Sequence, residues 1–335
     1  MGYDVGLRPE RGNVKKYKEF LKGHNFKEYP SKKEGGQVAT FYFFEHKDFL
    51  SVTGFHATIY QCDESKSGYE IHFRATYSAS YHDVFVVNSA LRDGRKMFGG
   101  HSYGDYGKNR YIPLEENDES TPLSRGLSFV YQKTHSGIDR VLHSIPESVL
   151  KPLKRTGDND HFVDYLESIA DPTRYLYSAL VPYAVSAVEY FFTQVFQILL
   201  KYDPSCQLKV ENYSKKVDLK DVILISRGEK TIEAVIAGEY SFQNLKSINK
   251  AFNQWFGVDI KQILYKKKKV NTGFLIIDKR MEEIIEFRHG VIHRFEVDEY
   301  LKKNDLIAIF KTVKIVFETI SSELEKKYSI TIERD

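Results

Sequence analysis

In the last quarter of the chain the stretch EFRHGVIHR, residues 286–294, sets Arg288, His289 and His293 close together. Histidine, with an ordinary pKa of about 6.5, gives or takes a proton near neutrality. Arginine stays protonated and can grip two oxygens of a phosphate at once. Together they could supply acid–base chemistry beside an anion, and positioned proton transfer is worth roughly 10²–10⁴ in rate. A plainer reading competes, because cations at a helix C-terminus are favoured by its dipole by roughly 0.3–1 kcal/mol. The spacing also poses a geometric problem. At about 100° per residue, Arg288 and His293 stand about 140° apart on an ideal helix, while His289 and His293, four apart, share a face. Three arrangements would reunite them: a helix that loosens near Gly290, an arginine side chain that reaches around, or a second copy across a twofold axis.

The elements that must position these residues are helical. From about residue 160 the apolar pattern takes a period of 3.6, and four long segments stand out: 172–202, 240–256, 278–292 and 299–327. The third, DKRMEEIIEFRHGVIH, opens on Asp278 as an N-cap, with Glu282 and Glu283 in the early turns. The last buries one face and carries Lys311, Lys314 and Glu323 on the other. Four such helices with modest connections imply a bundle.

The first half has a different period. In YEIHFRATY, Tyr69, Ile71, Phe73, Ala75 and Tyr77 alternate with Glu70, His72, Arg74 and Thr76, the mark of a half-buried strand. VATFYFFEH, DVFVVNS and LSFVYQK are similarly rich in β-branched and aromatic residues and are read as strands. SKKEGG (31–36), DESKSG (63–68) and RDG (92–94) supply turn chemistry, and NVKKYKEFLKGHNF reads as one short helix. GGHSYGDYGKNRY (99–111) reads as a Gly/Tyr loop, and the Pro- and Gly-containing stretch at 144–160 as a linker. The expected fold is α+β: a β-rich domain over 1–150 of unassigned role, then an all-α domain over 160–335.

Composition narrows the class. Hydrophobic residues at 41% and charged residues at 28% describe a folded soluble chain. The net charge is +3, and it is evenly spread: 20 basic against 19 acidic side chains in residues 1–150, and 29 against 27 in the remainder. That argues against polybasic nucleic-acid binding but allows a local basic site. Two distant cysteines, Cys62 and Cys206, offer neither a disulfide framework nor a zinc pattern, which points to a reducing compartment and a cytoplasmic protein. VPYAVSAVEYFFTQVFQILL (181–200) contains Pro182, Glu189, Gln194 and Gln197, so a buried helix is expected there and no membrane span.

The pattern R-x4-H at the end of the third of four helices resembles the signature of the HEPN superfamily, particularly the RiboL-PSP-HEPN subgroup. SALVPYAVSAVEYFFTQVF looks like the first HEPN helix with its acidic residue, Glu189, and SFQNLKSINKAFNQWFGVDIKQIL looks like the second helix. IIEFRHGVIHRFEVDEYL matches the signature, with a polar residue, His289, directly after the arginine. The likeness covers about residues 170–330. It implies a HEPN-like four-helix bundle and a metal-independent endoribonuclease without a cofactor, active as a homodimer with both signatures at one interface. Arg288 and His293 would be the catalytic pair, His289 an auxiliary polar residue, and Glu189 a partner for Arg288 or a member of a structural ion pair. The 2′-hydroxyl of RNA would be the nucleophile, so the products would carry a 2′,3′-cyclic phosphate and a 5′-hydroxyl. Relatives of this kind serve toxin–antitoxin, abortive-infection and antiviral systems, which makes an antitoxin or regulatory partner an expectation too. The alternative is a HEPN-like module that binds RNA or protein without cutting.

Elsewhere the sharper readings are weaker. Lys266, Lys267, Lys268 and Lys269, with Arg294, could track an RNA backbone, although a solvated loop explains the lysine run equally well. His46, His56, His72 and His82 lack the short spacing of metal ligands. Phe41, Tyr42, Phe43, Phe55, Tyr60, Phe73 and Tyr77 could stack bases, but at strand spacing most of these rings belong to a core. GGHSYGDYG lacks the Lys and Ser/Thr of a phosphate loop, and Trp255 reads as a packing residue.

Overall fold

The computed structural model describes residues 2–30, 35–51, 53–76, 79–114, 121–148, 171–265, 267–270, 273–298 and 300–334. Lys266, Tyr77 and most of the expected linker lie outside the described residues. The chain divides into two units, Met1–Phe129 and Val130–Asp335. The division falls within a helix, ahead of the Pro-containing stretch at 144–160.

The first unit is built on a six-stranded antiparallel sheet of order β2-β3-β4-β5-β1-β6. Its strands are β1 (Gly2–Arg8), β2 (Lys27–Tyr29), β3 (Gln37–Phe43), β4 (Phe55–Gln61), β5 (Tyr69–Thr76) and β6 (His101–Gly104). Two helices join them, α1 (Val14–Gly23) and α2 (Tyr81–Phe98). Alternation sorts the strand residues. Phe41, Ala57, Phe73 and Val5 face each other across four strands, and Ile59, Ile71 and Leu7 form the next row. These pack with Tyr17, Phe20 and Leu21 of α1 and Val84, Val87 and Leu91 of α2 in one buried core. The residues between them belong to the opposite face, where Tyr42, His56, Arg74 and Asp4 form one row and Thr40, Thr58, His72, Gly6 and Tyr103 another.

Two expected strands are helices. DVFVVNS lies inside α2, with RDG, read as a turn, continuing the same helix. LSFVYQK lies inside α3 (Pro122–Ser144). A run of seven apolar and β-branched residues fits either element, and the longer context decides. Ser80 and Asp83 form a reciprocal capping box that starts α2. In α3, Leu123, Leu127, Val130, Tyr131, Thr134 and Ile138 are buried at steps of three and four. Part of the Gly/Tyr stretch is strand: His101–Gly104 pairs with β1.

The second unit is helical in the main, so the chain as a whole is α+β. After α3 come α4 (Pro172–Tyr202), α5 (Pro204–Glu211), α6 (Leu219–Ser226), α7 (Ile232–Ala237), α8 (Leu245–Phe256) and α9 (Ile260–Leu264). A short hairpin of β7 (Lys267–Val270) and β8 (Gly273–Ile276) leads to α10 (Ile277–His289) and, after a further turn, α11 (Lys303–Tyr328). The helix α4 is the hub, packed against α5, α7, α8, α10 and α11. Phe191 stacks on Phe317 of α11 at 4.3 Å, and Phe192 meets Phe252 of α8 edge to face at 5.5 Å. By length and composition α4 is apolar enough to cross a membrane, yet Val181, Val185, Val188, Val195 and Leu199 on it are buried within this unit. Cys206 is also buried, and desolvation pushes its thiol up to about 11.

Candidate functional site

The helix α10 is held by a stripe at Ile277, Met281, Ile284 and Ile285, all buried, on the elements that pack against α4 and α11. Glu282, Glu283 and Glu286 face solvent, and Arg288 and His289 emerge half-buried on the last turn. At Gly290 the winding changes. Residues Gly290–Arg294 form a π-helical turn, with the Gly290 carbonyl accepting from the amides of Phe295 and Glu296. Phe295, in the left-handed region at φ 53°, ends it. A π turn closes over five residues rather than four, and such turns recur at functional sites. Of the three arrangements that could reunite Arg288 and His293, the loosening at Gly290 is therefore present.

The His289 and His293 rings stack at 5.6 Å with an interplanar angle of 23°. Among the described residues neither ring nitrogen has a hydrogen-bond partner, and Arg288 has neither an ion pair nor a hydrogen bond. Nearby arginines are engaged. Arg280 pairs with Glu283 at 2.7 Å, and Arg294 reaches Glu296 at 2.6 Å and Glu286 at 3.2 Å. Those hydrogen bonds raise the pKa of Arg294 and make it a clamp across the turn. Gly290 leaves room for that clamp, because a Cβ there would overlap the Glu296 carboxylate.

The expected pairing of Glu189 with Arg288 is not found. Glu189 accepts a hydrogen bond from Gln243 Nε2 at 3.3 Å. The chain after the π turn is tied to α4 at Ser178, whose Oγ accepts from the Asp298 amide at 3.2 Å. Glu189 lies eleven residues farther along α4, about 16 Å at 1.5 Å per residue, which separates it from the turn. Lys267, Lys268 and Lys269 sit on β7, paired with β8. Thus Arg288, His289, His293 and Arg294 share one helix end, and Glu189 and the lysine run lie elsewhere.

The arrangement is open. A cavity of about 270 Å³ between α10, the segment after it and α11 is lined by Arg280, Glu283, Phe287, Asp298, Tyr300 and Asp305, and not by Arg288 or either histidine. Two apolar side chains of the turn are exposed among its charges: Phe295 at 89%, and Ile292. Tyr175 and Leu176, within one turn of Ser178, are exposed as well. Glu286 and Glu296, which fix the turn through Arg294, were not singled out from sequence. Their spacing from Arg294 follows no helical period, since the intervening turn is not α.

Other candidates resolve into structure. His82 lies against Phe43, and His46 against Phe44, Phe49 and Phe129. Among the described residues no group of three or more His, Cys, Asp or Glu could hold a metal ion. Phe41, Phe43, Phe55 and Phe73 are core, and Trp255 is buried with its indole N–H donating to Tyr240. No family model, curated protein or solved structure matches this chain.

Proposed function

We propose that α4, α8, α10 and α11 form a HEPN-like four-helix bundle and that the chain is an endoribonuclease needing no metal, acting on single-stranded RNA as a homodimer. One observation carries the reading: an arginine with no partner among the described residues stands at a π turn beside two stacked histidines. An arginine left unpaired among paired ones fits an anion that comes from outside, and a phosphodiester suits its fork.

In the reaction one histidine takes the proton of the 2′-hydroxyl as its oxygen attacks phosphorus. The bond from phosphorus to the 5′-oxygen breaks, and a second histidine returns a proton to that leaving oxygen. Arg288 holds the phosphate charge as it builds. The products are a 2′,3′-cyclic phosphate and a 5′-hydroxyl. Exposed Phe295 and Ile292 on the turn, and exposed Tyr175 and Leu176 on α4, support a dimer interface, since exposed apolar side chains that cluster mark an association surface. A second copy would also close an otherwise open site. The lysines from Lys266 to Lys269 would guide the RNA backbone. In the cell the reading is of a cytoplasmic toxin or antiviral effector, restrained by an antitoxin or regulatory partner.

Incubation of the purified chain, with chelator present, with labelled single-stranded RNA and its DNA counterpart tests this, alongside His293→Ala and Arg288→Ala. Cut RNA, intact DNA and loss of cutting in both variants are expected. A second reading is a module that binds RNA without cutting. It is favoured by the absence, among the described residues, of any group that orients either imidazole. RNA retained uncut by wild type, with binding lost in Arg288→Ala, would establish that reading instead.

A further inference from the structure

The face of the first unit's sheet that points away from α1 and α2 has an unusual composition. Its rings are tyrosine and histidine, while the phenylalanines of the same strands all lie on the core side. Tyr42 and His56 are adjacent at 4.9 Å, and Tyr29 reaches His56 Nδ1 through its hydroxyl at 3.0 Å. Four residues along β4, Tyr60 and His72 make a second ring pair at 6.2 Å. His56 is exposed, and Tyr42, Tyr60 and His72 are half-exposed. Thr40 and Thr58 are the short side chains between the pairs.

Charge favours an anion on this face. Arg74 stands in the Tyr42 row with its side chain 73% exposed, and Lys27 is exposed opposite Tyr42. The two carboxylates here are already engaged: Asp4 with His72 at 2.7 Å and, more loosely, with Arg74 at 3.7 Å, and Glu70 with Arg8 at 3.2 Å. Partly exposed rings in two clusters along the strands, edged by the exposed Arg74 and Lys27, match the needs of unpaired nucleobases joined by a phosphate chain. A sheet face that stacks bases on aromatic side chains is an established way to hold single-stranded RNA.

From this we infer that the open face of the sheet binds single-stranded RNA, stacking bases at the Tyr42–His56 and Tyr60–His72 pairs with Arg74 on the phosphates. The inference goes beyond the ribonuclease reading and stands or falls on binding alone. It gives the first unit the task of choosing or holding the RNA.

The test uses the full chain carrying His293→Ala, so that RNA survives, and a fluorescently labelled single-stranded 12-nucleotide RNA read by anisotropy. Tyr60→Leu is expected to weaken binding about tenfold, and Tyr60→Phe to restore it, because the ring and not the hydroxyl stacks. Arg74→Gln should weaken binding and reduce the slope of log K against log salt by about 0.7, as one lost phosphate contact does on a single strand. Duplex RNA, whose bases are already stacked, should bind at least tenfold more weakly. Thermal melts of each variant separate lost binding from lost fold. Affinities unchanged within twofold in both Tyr60→Leu and Arg74→Gln would overturn the inference, as would equal affinity for duplex RNA. RNA cleavage by wild type with unchanged binding in these variants sinks this inference and leaves the nuclease. Face-dependent binding without cleavage does the reverse.

Discussion

The carboxylate of Glu296 occupies the space that a side chain on Gly290 would need, and from there it holds Arg294 across the π turn. Gly290 is helical, at φ −56°, so alanine is acceptable to its backbone. The obstacle is the flexible end of a glutamate, and the ion pair it would lose is exposed and contributes little. Gly290→Ala should therefore cost less than about 1 kcal/mol in urea unfolding while displacing the clamp and, under the proposed function, lowering RNA cleavage. A loss above 2 kcal/mol would show that the turn is a structural necessity.

Arg288 offers a sharper form of the same contrast between stability and activity. With no partner among the described residues, its replacement by lysine should leave stability within about 0.5 kcal/mol. Lysine keeps the charge but not the two-pronged geometry, so cleavage should fall by roughly 10²–10³ under the proposed mechanism. Full activity in Arg288→Lys would remove the arginine from the site.

Gly6 is fixed by a neighbouring ring. Tyr103 lies across it, with ring atoms 2.5 Å from where a Cβ would stand, and Arg8 covers the ring from 4.6 Å. Gly6→Ala in this central strand should cost about 1–3 kcal/mol by overpacking. Adding Tyr103→Ala should recover part of that loss, because the two share one cause. Simple additivity in a double-mutant cycle of denaturant midpoints would contradict it.

Three histidines report on acid stability. Burial lowers the pKa values of His24, His101 and His135, aided at His101 by the charges of Lys108, Arg8 and Arg95. Each holds its proton less tightly folded than unfolded, so their contribution is complete above about pH 6.5 and is lost as pH falls through that value. Glu318 and Glu325 are held below the ordinary carboxylate range by hydrogen bonds that include Arg334, which extends the loss below about pH 4.5. Asp83, raised by burial, works the other way in the acid range. Urea midpoints at pH 8, 6.5 and 5.5 should fall in that order, and His135→Gln should flatten the last step. A midpoint that rises toward pH 5.5 would refute the sign.

Much of this arrangement is legible in the amino-acid order where long periods exist. The bounds expected for α4, 172–202, coincide with the helix found, because a 31-residue apolar period leaves little choice. Strand β5 is equally plain from alternation, and β3 from its β-branched and aromatic residues. The failures lie where a short β-rich run is taken without its flanks: DVFVVNS opens on Asp83, which with Ser80 three residues earlier makes a capping pair whose spacing signals a helix start. At the candidate site the three side chains are visible, and a loosening near Gly290 is one of three arrangements that the spacing allows, but nothing periodic selects it, since a change of winding at one glycine leaves no trace in the pattern. Glu189 misled for a related reason. A carboxylate on an apolar helix invites pairing with the nearest conspicuous arginine, whereas position along α4 decides what it can reach, and there Gln243 meets it.

The sheet order has a consequence for how the chain acquires its structure. The strands β3, β4 and β5 are consecutive neighbours and can zip as a meander from local turns. The first strand cannot: β1 pairs with β5 near residue 71 and with β6 near residue 102, so its partners arrive late in synthesis. Closing so long a loop costs entropy before any ladder bond repays it, and folding slows as sequence separation grows. The strand that precedes all the others of the sheet is thus among the last of them to settle. A kinetic trace should show β1 gaining hydrogen-exchange protection after the meander, and a permuted chain that starts at β3 and appends β1 after β6 should fold faster at unchanged stability.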